Sequence, residues 1–569
     1  MKKTIETILK KALGADAQLI APEVTIQEHP EFGHYSTNVA LPLAKSRNES
    51  PRILAGAFAA MLQLKAPKGF FSRIEVAGPG FINMWITPGT THKEFARIYK
   101  TKKTYGNLAL GKGKKVIVEY SQPNIAKRMH VGHLRSTIIG DALANIHEAA
   151  GYKVTRWNYL GDWGTQFGKL IAAYKRWGKK GEVQKDPIGT LLALYVRFHE
   201  EIKDHPELEI EGAQEFKKLE DGDKENRALW KWFRELSLKE FYKIYKTLGI
   251  EFDVEVGESA YEKELSGIVK ELQKKGIAKK SEGAIVVPIP SSETPALIQK
   301  SDGASLYLTR DLATLRDRLK KYKPVKILYV VANEQTFHFS QLFHVAGMLG
   351  WGKATELQHV KFGMMLGEDG KKFSTREGKG IALEELIGKI VVLARKVVEE
   401  KNTELSKKKK DVVAHAVGIG ALKYNDLHEN RNSDITFDWE RMLDFAGDSA
   451  PYLQYTYARL RSILRKAPRS KVKGQWSMVD SDIELALMRH LFVFPDEIEK
   501  STETLYTNNI AKYLYELAGH ANKFYATTPM ILKDENVSRR AARLALIEMV
   551  AVVLKRGLGL LGIEAPEEI

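Results

Sequence analysis

The chain of 569 residues is too long for one hydrophobic core and is expected to divide into three or four domains. Its formal net charge of +17 points to a polyanionic partner, nucleic acid first, with general surface solubility as the plainer explanation. It contains no cysteine; this excludes disulfides, thiolate-held zinc and a catalytic thiol, and fits a reducing cytoplasm. No run of about 18 apolar residues occurs, so no membrane-spanning helix is expected.

The opening MKKTIETILKKALGAD is basic and then apolar. Glu6, Lys10 and Lys11 interrupt it and no small-residue cleavage site follows, so an amphipathic helix is expected, not a signal peptide. RIEVAGPGFINMWI alternates apolar and polar residues on both sides of a Gly-Pro-Gly turn, as a strand pair does. The Gly- and Lys-rich GNLALGKGKK closes this first piece, residues 1–110. VIVEY at 116–120 is a short strand, followed by a loop and a helical pattern from about Leu134 to Ala150, with Gly151 as its stop. KVTRWNYL is a second strand, which makes a βαβ unit and predicts a parallel sheet.

Residues 172 to about 300 are charged, first helical and then carrying short strands such as AIVVPI, and are read as an insertion. A second half of the sheet resumes at KILYVVA, 326–332. From about 385 onward helical periodicity dominates, as in LARKVVEEKN and AARLALIEMVAVVLKRGLGLL. The lysine run from Lys407 to Lys410 is read as a solvated helix face or turn, with RNA contact as the alternative. The expected architecture is α/β: a Rossmann-like parallel-sheet domain over 111–385, an α+β domain before it, a helical region over 386–450 and an all-α bundle over 451–569.

Two motifs carry chemistry. SQPNIAKRMHVGHLRST lies where the first strand gives way to the first helix. A helix start offers free N–H groups and a positive dipole end, a natural seat for phosphate. His130 and His133 can donate to phosphate oxygens as charge builds up, Gly132 allows close backbone approach, and Lys127 adds a fixed positive charge. By itself His-x-Gly-His is a weak signal, and a structural pair explains it as well. No GxGxxG is present, and no matching set of further ligands supports zinc. Downstream, GMMLGEDGKKFSTREGKG sets Lys371, Lys372 and Arg376 among Gly367, Gly370, Gly378 and Gly380, with the hydroxyls of Ser374 and Thr375. Such a loop suits a triphosphate, although an ordinary exposed turn has the same composition.

In this order the motifs resemble a known family. His130-Val131-Gly132-His133 resembles the HIGH signature of class I aminoacyl-tRNA synthetases, and Lys372-Phe373-Ser374-Thr375-Arg376 their KMSKS loop. NYLGDWGTQFGKL, DGASLYLTRDLATLRDR, ALKYNDLHENRNSDITFDWERML, APYLQYTYARLRSIL and the ending LGLLGIEAPEEI resemble arginyl-tRNA synthetase segments, and the likeness runs from about residue 30 to 569.

That resemblance implies an ATP-dependent arginine–tRNA ligase. L-Arginine is activated to arginyl-adenylate with release of pyrophosphate, then passed to the 3′-terminal adenosine of tRNA(Arg). It implies that His130 and His133 stabilise the transition-state phosphate and that Lys372 binds the leaving phosphates. Thr375 stands where a second lysine is usual in the class, and Lys127 matches the family position thought to compensate; Arg128 stands where relatives often have proline. Gly132, His338, Gln341, Met365, Leu366 and Ser374 are implied on the ATP side, with Mg²⁺ accompanying ATP and no metal-binding residue named. Glu119, Tyr307 and Asp311 are implied to hold the guanidinium, and Asn124, Gln335 and His133 the rest of the amino acid. Paired carboxylates match a guanidinium bidentately, and Tyr307 and Asp311 share a face if LYLTRDLATL is helical. A site of that kind rejects lysine or citrulline by leaving groups unpaired, so no editing activity is expected. Without the family, Asp311 reads as an exposed helix charge.

On the RNA side, Tyr452, Tyr455, Arg459 and Tyr525 are implied to meet the anticodon, with Ile569 bordering them; without context aromatics at that spacing read as core. Phe81 and Asn83, after the Gly-Pro-Gly turn, are implied to meet the tRNA elbow, although Phe81 suits a core as well. His34 departs from a usually acidic position. A cytoplasmic monomer is expected.

Overall fold

The computed structural model describes residues 1–27, 29–290, 293–303, 306–367, 370–371, 382–468 and 475–569. The N-terminal helix, Lys2–Leu13, buries Ile5, Ile8, Leu9, Ala12 and Leu13, the stripe its amphipathic pattern requires. It packs with the Pro51–Lys65 helix against a four-stranded antiparallel sheet. In that sheet Phe71–Ala77 and Phe81–Ile86 form the hairpin around Gly-Pro-Gly.

The centre is a five-stranded parallel sheet in the order Glu356–Phe362, Lys326–Ala332, Lys115–Glu119, Lys153–Leu160, Val254–Gly257. Lys115–Glu119 has its sequence successor on one side and the second half of the sheet on the other. The order therefore reverses beside it, and ligands of open parallel sheets bind outside the carboxyl ends of strands at such a point. Residues 172–300, read from the sequence as an insertion, contribute the edge strand Val254–Gly257. That strand is only four residues of mixed burial, too short to stand out in a charged helical region.

One apolar cluster lies under one face of this sheet and continues without a break into the C-terminal helices. The other face packs on the helices Leu265–Lys274, Tyr307–Lys321 and Thr336–Met348. The C-terminal bundle is built from Ala450–Lys466, Asp482–Leu491, Asn508–Thr527 and Val537–Leu560. The lysine run at 407–410 opens a helix that ends at Leu427, and Lys410 is buried there beside Glu399. No helix among the described residues is long and apolar enough to cross a membrane.

Candidate active site

The helix after the first central strand begins at Val131, three residues before the sequence periodicity predicts. The added turn comes from reciprocal histidine capping. His133 Nδ1 accepts from the His130 backbone N–H at 3.1 Å, and His130 Nδ1 accepts from the Gly132 N–H at 3.1 Å. Side chains thus satisfy N–H groups that a helix start leaves open. An imidazole accepting through Nδ1 carries its proton on Nε2, so both rings present Nε2 as a donor. Burial, then His130 and Lys127, lower the pKa of His133 to about 3, which keeps that ring neutral. The ring centroids lie 4.0 Å apart. A Cβ at Gly132 would stand 3.0 Å from the His130 ring, so only glycine fits without displacing it.

Lys127 Nζ lies 5.7 Å from the centroid of Tyr195, a residue of the Pro187–Glu201 helix. Arg128, where relatives often have proline, pairs with Glu385 at 3.7 Å. Lys372, Ser374, Thr375 and Arg376 lie outside the described residues. Just beyond that stretch, Ala382 pairs with His130 and the Leu383 N–H donates to the Met129 carbonyl at 3.0 Å. Met365 and Leu366 pair in parallel with Ile435 and Thr436.

Glu119 ends its strand buried, and two side chains engage its carboxylate. Gln122 Nε2 donates to Oε1 at 2.6 Å, and Arg318 Nη2 is paired with Oε2. The Arg318 guanidinium is itself buried and lies 4.4 Å over Trp157. Burial works against its charge, but Glu119 and Tyr329 hold it above the ordinary arginine range. Asp311, on the Tyr307–Lys321 helix, has its Oδ2 2.6 Å from His338 Nε2. Glu258, just past the edge strand, lies 3.9 Å from Arg310, and burial pushes its carboxyl up to about 8. Glu119, Asp311 and Glu258 all act electrostatically on the half-buried Tyr159, so three carboxyl groups converge on one region.

Tyr307 is exposed one turn before Asp311, and Gln335 is exposed just past the strand Lys326–Ala332. Asn124 pairs with Gly161 at the mouth of the site. Gln341 is buried on its helix. Glu258, Arg318 and Tyr195 were missed from the sequence. Arg318 stands seven residues after Asp311, two turns along one helix face, a spacing that could have flagged it. Tyr195 comes from the charged stretch read as an insertion and has no local signal. Among the described residues no group of three His, Asp or Glu is placed to hold a metal ion.

The C-terminal candidates gather on two helices. Arg459 lies 4.8 Å over Tyr455 and 5.3 Å over Tyr525, and its Nη1 donates to Asn522 Oδ1 at 3.1 Å. Asn522 Nδ2 donates to the Tyr452 hydroxyl at 2.9 Å. The Ile569 carbonyl instead accepts from Asn402 at 3.1 Å. In the N-terminal domain Phe81 is exposed, whereas Asn83 is buried in the sheet between Ser36 and Glu75. His34 Nδ1 accepts from the Ile86 N–H at 3.1 Å. Burial and Arg489 lower the pKa of His34 to about 4.

The family model "tRNA synthetases class I (R), catalytic domain" matches residues 94–439. "DALR anticodon binding domain" matches 453–569, and "Arginyl tRNA synthetase N terminal domain" matches 1–86. An arginine–tRNA ligase of Lactobacillus acidophilus is 43% identical over 574 residues, covering 100% of this chain and 99% of that one. The crystal structure of Plasmodium falciparum arginyl-tRNA synthetase is similar with a TM-score of 0.83 at 27% identity, covering 100% of this chain and 99% of that one. Thermus thermophilus arginyl-tRNA synthetase shares the fold with a TM-score of 0.85 at 23% identity, over 100% of both chains.

Proposed function

The chain belongs to the arginyl-tRNA synthetase family, and from that membership we propose how its own residues carry the ligation of arginine to tRNA. The reaction is the ATP-dependent, class I arginine–tRNA ligation. The arginine carboxylate attacks the α-phosphorus of ATP and pyrophosphate leaves; a hydroxyl of the tRNA's terminal adenosine then attacks the arginyl carbonyl and AMP leaves.

His130 and His133 donate from Nε2 to the α-phosphate as its charge grows. The observation that carries this is the pair of backbone N–H groups held by Nδ1 of each ring, which leaves the donor on the other nitrogen. A neutral donor in place before the reaction needs no proton transfer to act. Lys127 supplies positive charge on the same side, and Lys372 and Ser374 engage the leaving phosphates. Gly132, His338, Gln341, Met365 and Leu366 line the nucleotide side. Mg²⁺ would accompany the triphosphate as part of the substrate.

The substrate guanidinium is taken by Asp311, with Tyr307 beside it and Glu119 behind; Asn124, Gln335 and His133 orient the carboxylate and amino end. Glu119 is already balanced by Arg318, and Asp311, paired with His338, offers its charge to the substrate guanidinium once that ring is neutral. Tyr455, Arg459 and Tyr525, with Tyr452 behind them, stack and pair with anticodon bases of tRNA(Arg). Phe81, with Asn83 behind it, meets the tRNA elbow. The working unit is a monomer in the cytoplasm, with the four domains divided at 110, 385 and 450.

ATP–pyrophosphate exchange with arginine, with and without tRNA(Arg), tests this reading beside Lys372→Ala. Exchange that requires tRNA and is lost in the variant is expected. Exchange with another amino acid, or none while tRNA still binds, would overturn it.

A further inference from the structure

Two residues after His133, the side chain of Arg135 is fully buried, and it joins three segments far apart in sequence. Its Nε donates to Asp426 Oδ2 at 2.8 Å and its Nη2 to Asp426 Oδ1 at 3.2 Å, at the end of the Lys407–Leu427 helix. Its Nη1 donates to the carbonyls of Gly363 at 2.8 Å, Met364 at 3.2 Å and Ser433 at 3.2 Å. Nη2 reaches the Arg431 carbonyl at 3.4 Å. The Arg431 side chain continues the path. Its Nη1 donates to the Lys361 carbonyl at 2.5 Å, its Nε donates to the Leu505 carbonyl at 3.1 Å, and its guanidinium lies 4.7 Å over Tyr506. Asn432 Nδ2 donates to the Tyr506 hydroxyl at 2.7 Å. Leu505 and Tyr506 form the turn that enters the Asn508–Thr527 helix, on which Asn522 and Tyr525 sit.

A guanidinium buried this deeply is costly unless every face is satisfied, and here its polar contacts divide among Asp426, the Gly363–Met364 segment and the Arg431–Ser433 segment. Gly363 is held equally tightly: a Cβ there would come within 2.6 Å of the Ser433 carbonyl and the Asp434 carboxylate. The segment past the strand Glu356–Phe362, the histidine helix and the entry to the bundle therefore meet without slack.

We infer that Arg135 is a positioning residue for His130 and His133, and that Arg135 and Arg431 together lock the histidine helix to the turn at Leu505 and Tyr506. RNA seated on the Asn508–Thr527 helix and the phosphate-handling rings then form one mechanical body. This rests on the ligase reading above. Contiguity alone is not coupling, so the interaction between the two ends is what the double variant reads.

The test uses the full chain with Arg135→Lys, Asp426→Asn, Arg431→Met and the double variant Arg135→Lys/Arg431→Met. Rates of ATP–pyrophosphate exchange with arginine, KM for ATP and arginine, Kd for tRNA(Arg) and thermal midpoints are read for each. The expected result is exchange kcat falling about 10- to 100-fold in Arg135→Lys, with both KM values and the tRNA Kd within about twofold. Arg431→Met lowers exchange kcat at saturating tRNA(Arg), and the double variant departs from additivity by at least about threefold. Unchanged kcat in soluble, folded variants overturns the inference, as do additive effects or rate losses that only track the thermal midpoint. If Arg135→Lys does not fold, Tyr506→Phe and Asn432→Ala at the far end decide it: an altered tRNA effect on exchange supports the lock, and an unaltered one overturns it. Wild-type protein that fails to exchange with arginine overturns the ligase reading instead.

Discussion

His338 Nε2 stands 2.6 Å from Asp311 Oδ2, so the carboxylate assigned to the substrate guanidinium already has a titratable partner. Burial works against a charged ring there, but the hydrogen bond and charge of Asp311 hold the histidine above its ordinary range. The protonated ring and the substrate compete for one carboxylate. Because the folded pKa is raised, the pair stabilises the fold fully below the unfolded pKa and is lost as pH rises through the folded one. Arginine binding follows the opposite course. KM for arginine is expected to fall as pH rises through the His338 transition, and His338→Gln to flatten that dependence. Steady-state kinetics from about pH 6 to about pH 8.5 check it; an equal slope in the variant counts against the competition.

Arg318 and Glu119 are each almost wholly buried, and each is the other's charge partner. Removing one partner leaves an uncompensated charge, which costs about 3–5 kcal/mol, whereas replacing both is far milder. Arg318→Met is therefore expected to lose that order of stability in urea unfolding, and Arg318→Met/Glu119→Gln to recover most of it. Arginine activation should stay impaired in the double variant, since Glu119 is also assigned to the substrate. A double variant as unstable as the single one would mean that Arg318 contributes mainly packing against Trp157.

Much of the fold is legible in the sequence because its strands are short β-rich runs set off by turn residues. KVTRWNYL and KILYVVA coincide with observed strands, and the RIEVAGPGFINMWI hairpin forms around its glycines. Val254–Gly257 was hidden because an edge strand of four residues has too little burial to imprint a pattern. The early start of the His130 helix was hidden for another reason: histidines are not usual caps, and only the folded geometry shows Nδ1 accepting from backbone. The resident guanidinium of Arg318 shares a helix face with Asp311, a spacing the sequence does hold, but its burial against Glu119 appears only once the sheet is laid against that helix.

The His133 tautomer can be read by spectroscopy. His133 titrates at about 3 when folded, against about 6.5 unfolded, so between those values the unfolded chain binds the extra proton. The His133 contribution to stability therefore rises with pH through that window and is fully present above it. Nitrogen-15 spectra of the histidines should show His133 as the neutral Nε2–H tautomer at pH 7 and still at about pH 5. His133→Asn should lower exchange about 10²- to 10³-fold, the scale of a lost transition-state donor. A protonated ring at about pH 5, or a variant with near-normal exchange, contradicts the assigned role.

Arg459 spans the rings of Tyr455 and Tyr525 and is fixed through Asn522, which also holds the Tyr452 hydroxyl. The rings stand on two different helices, so the guanidinium sets the gap between them. A base stacked on an aromatic ring contributes about 1–3 kcal/mol. Tyr525→Ala, at an exposed ring, should weaken tRNA(Arg) binding by about 10- to 100-fold without disturbing the fold. Arg459→Ala should do as much while also releasing Tyr455, and the two losses should not add, because one residue orders the other's ring. KM for tRNA in aminoacylation, set beside KM for arginine, separates this from damage to the distant site. If KM for arginine rises in step with that for tRNA, the cluster acts on the whole chain and not on the anticodon.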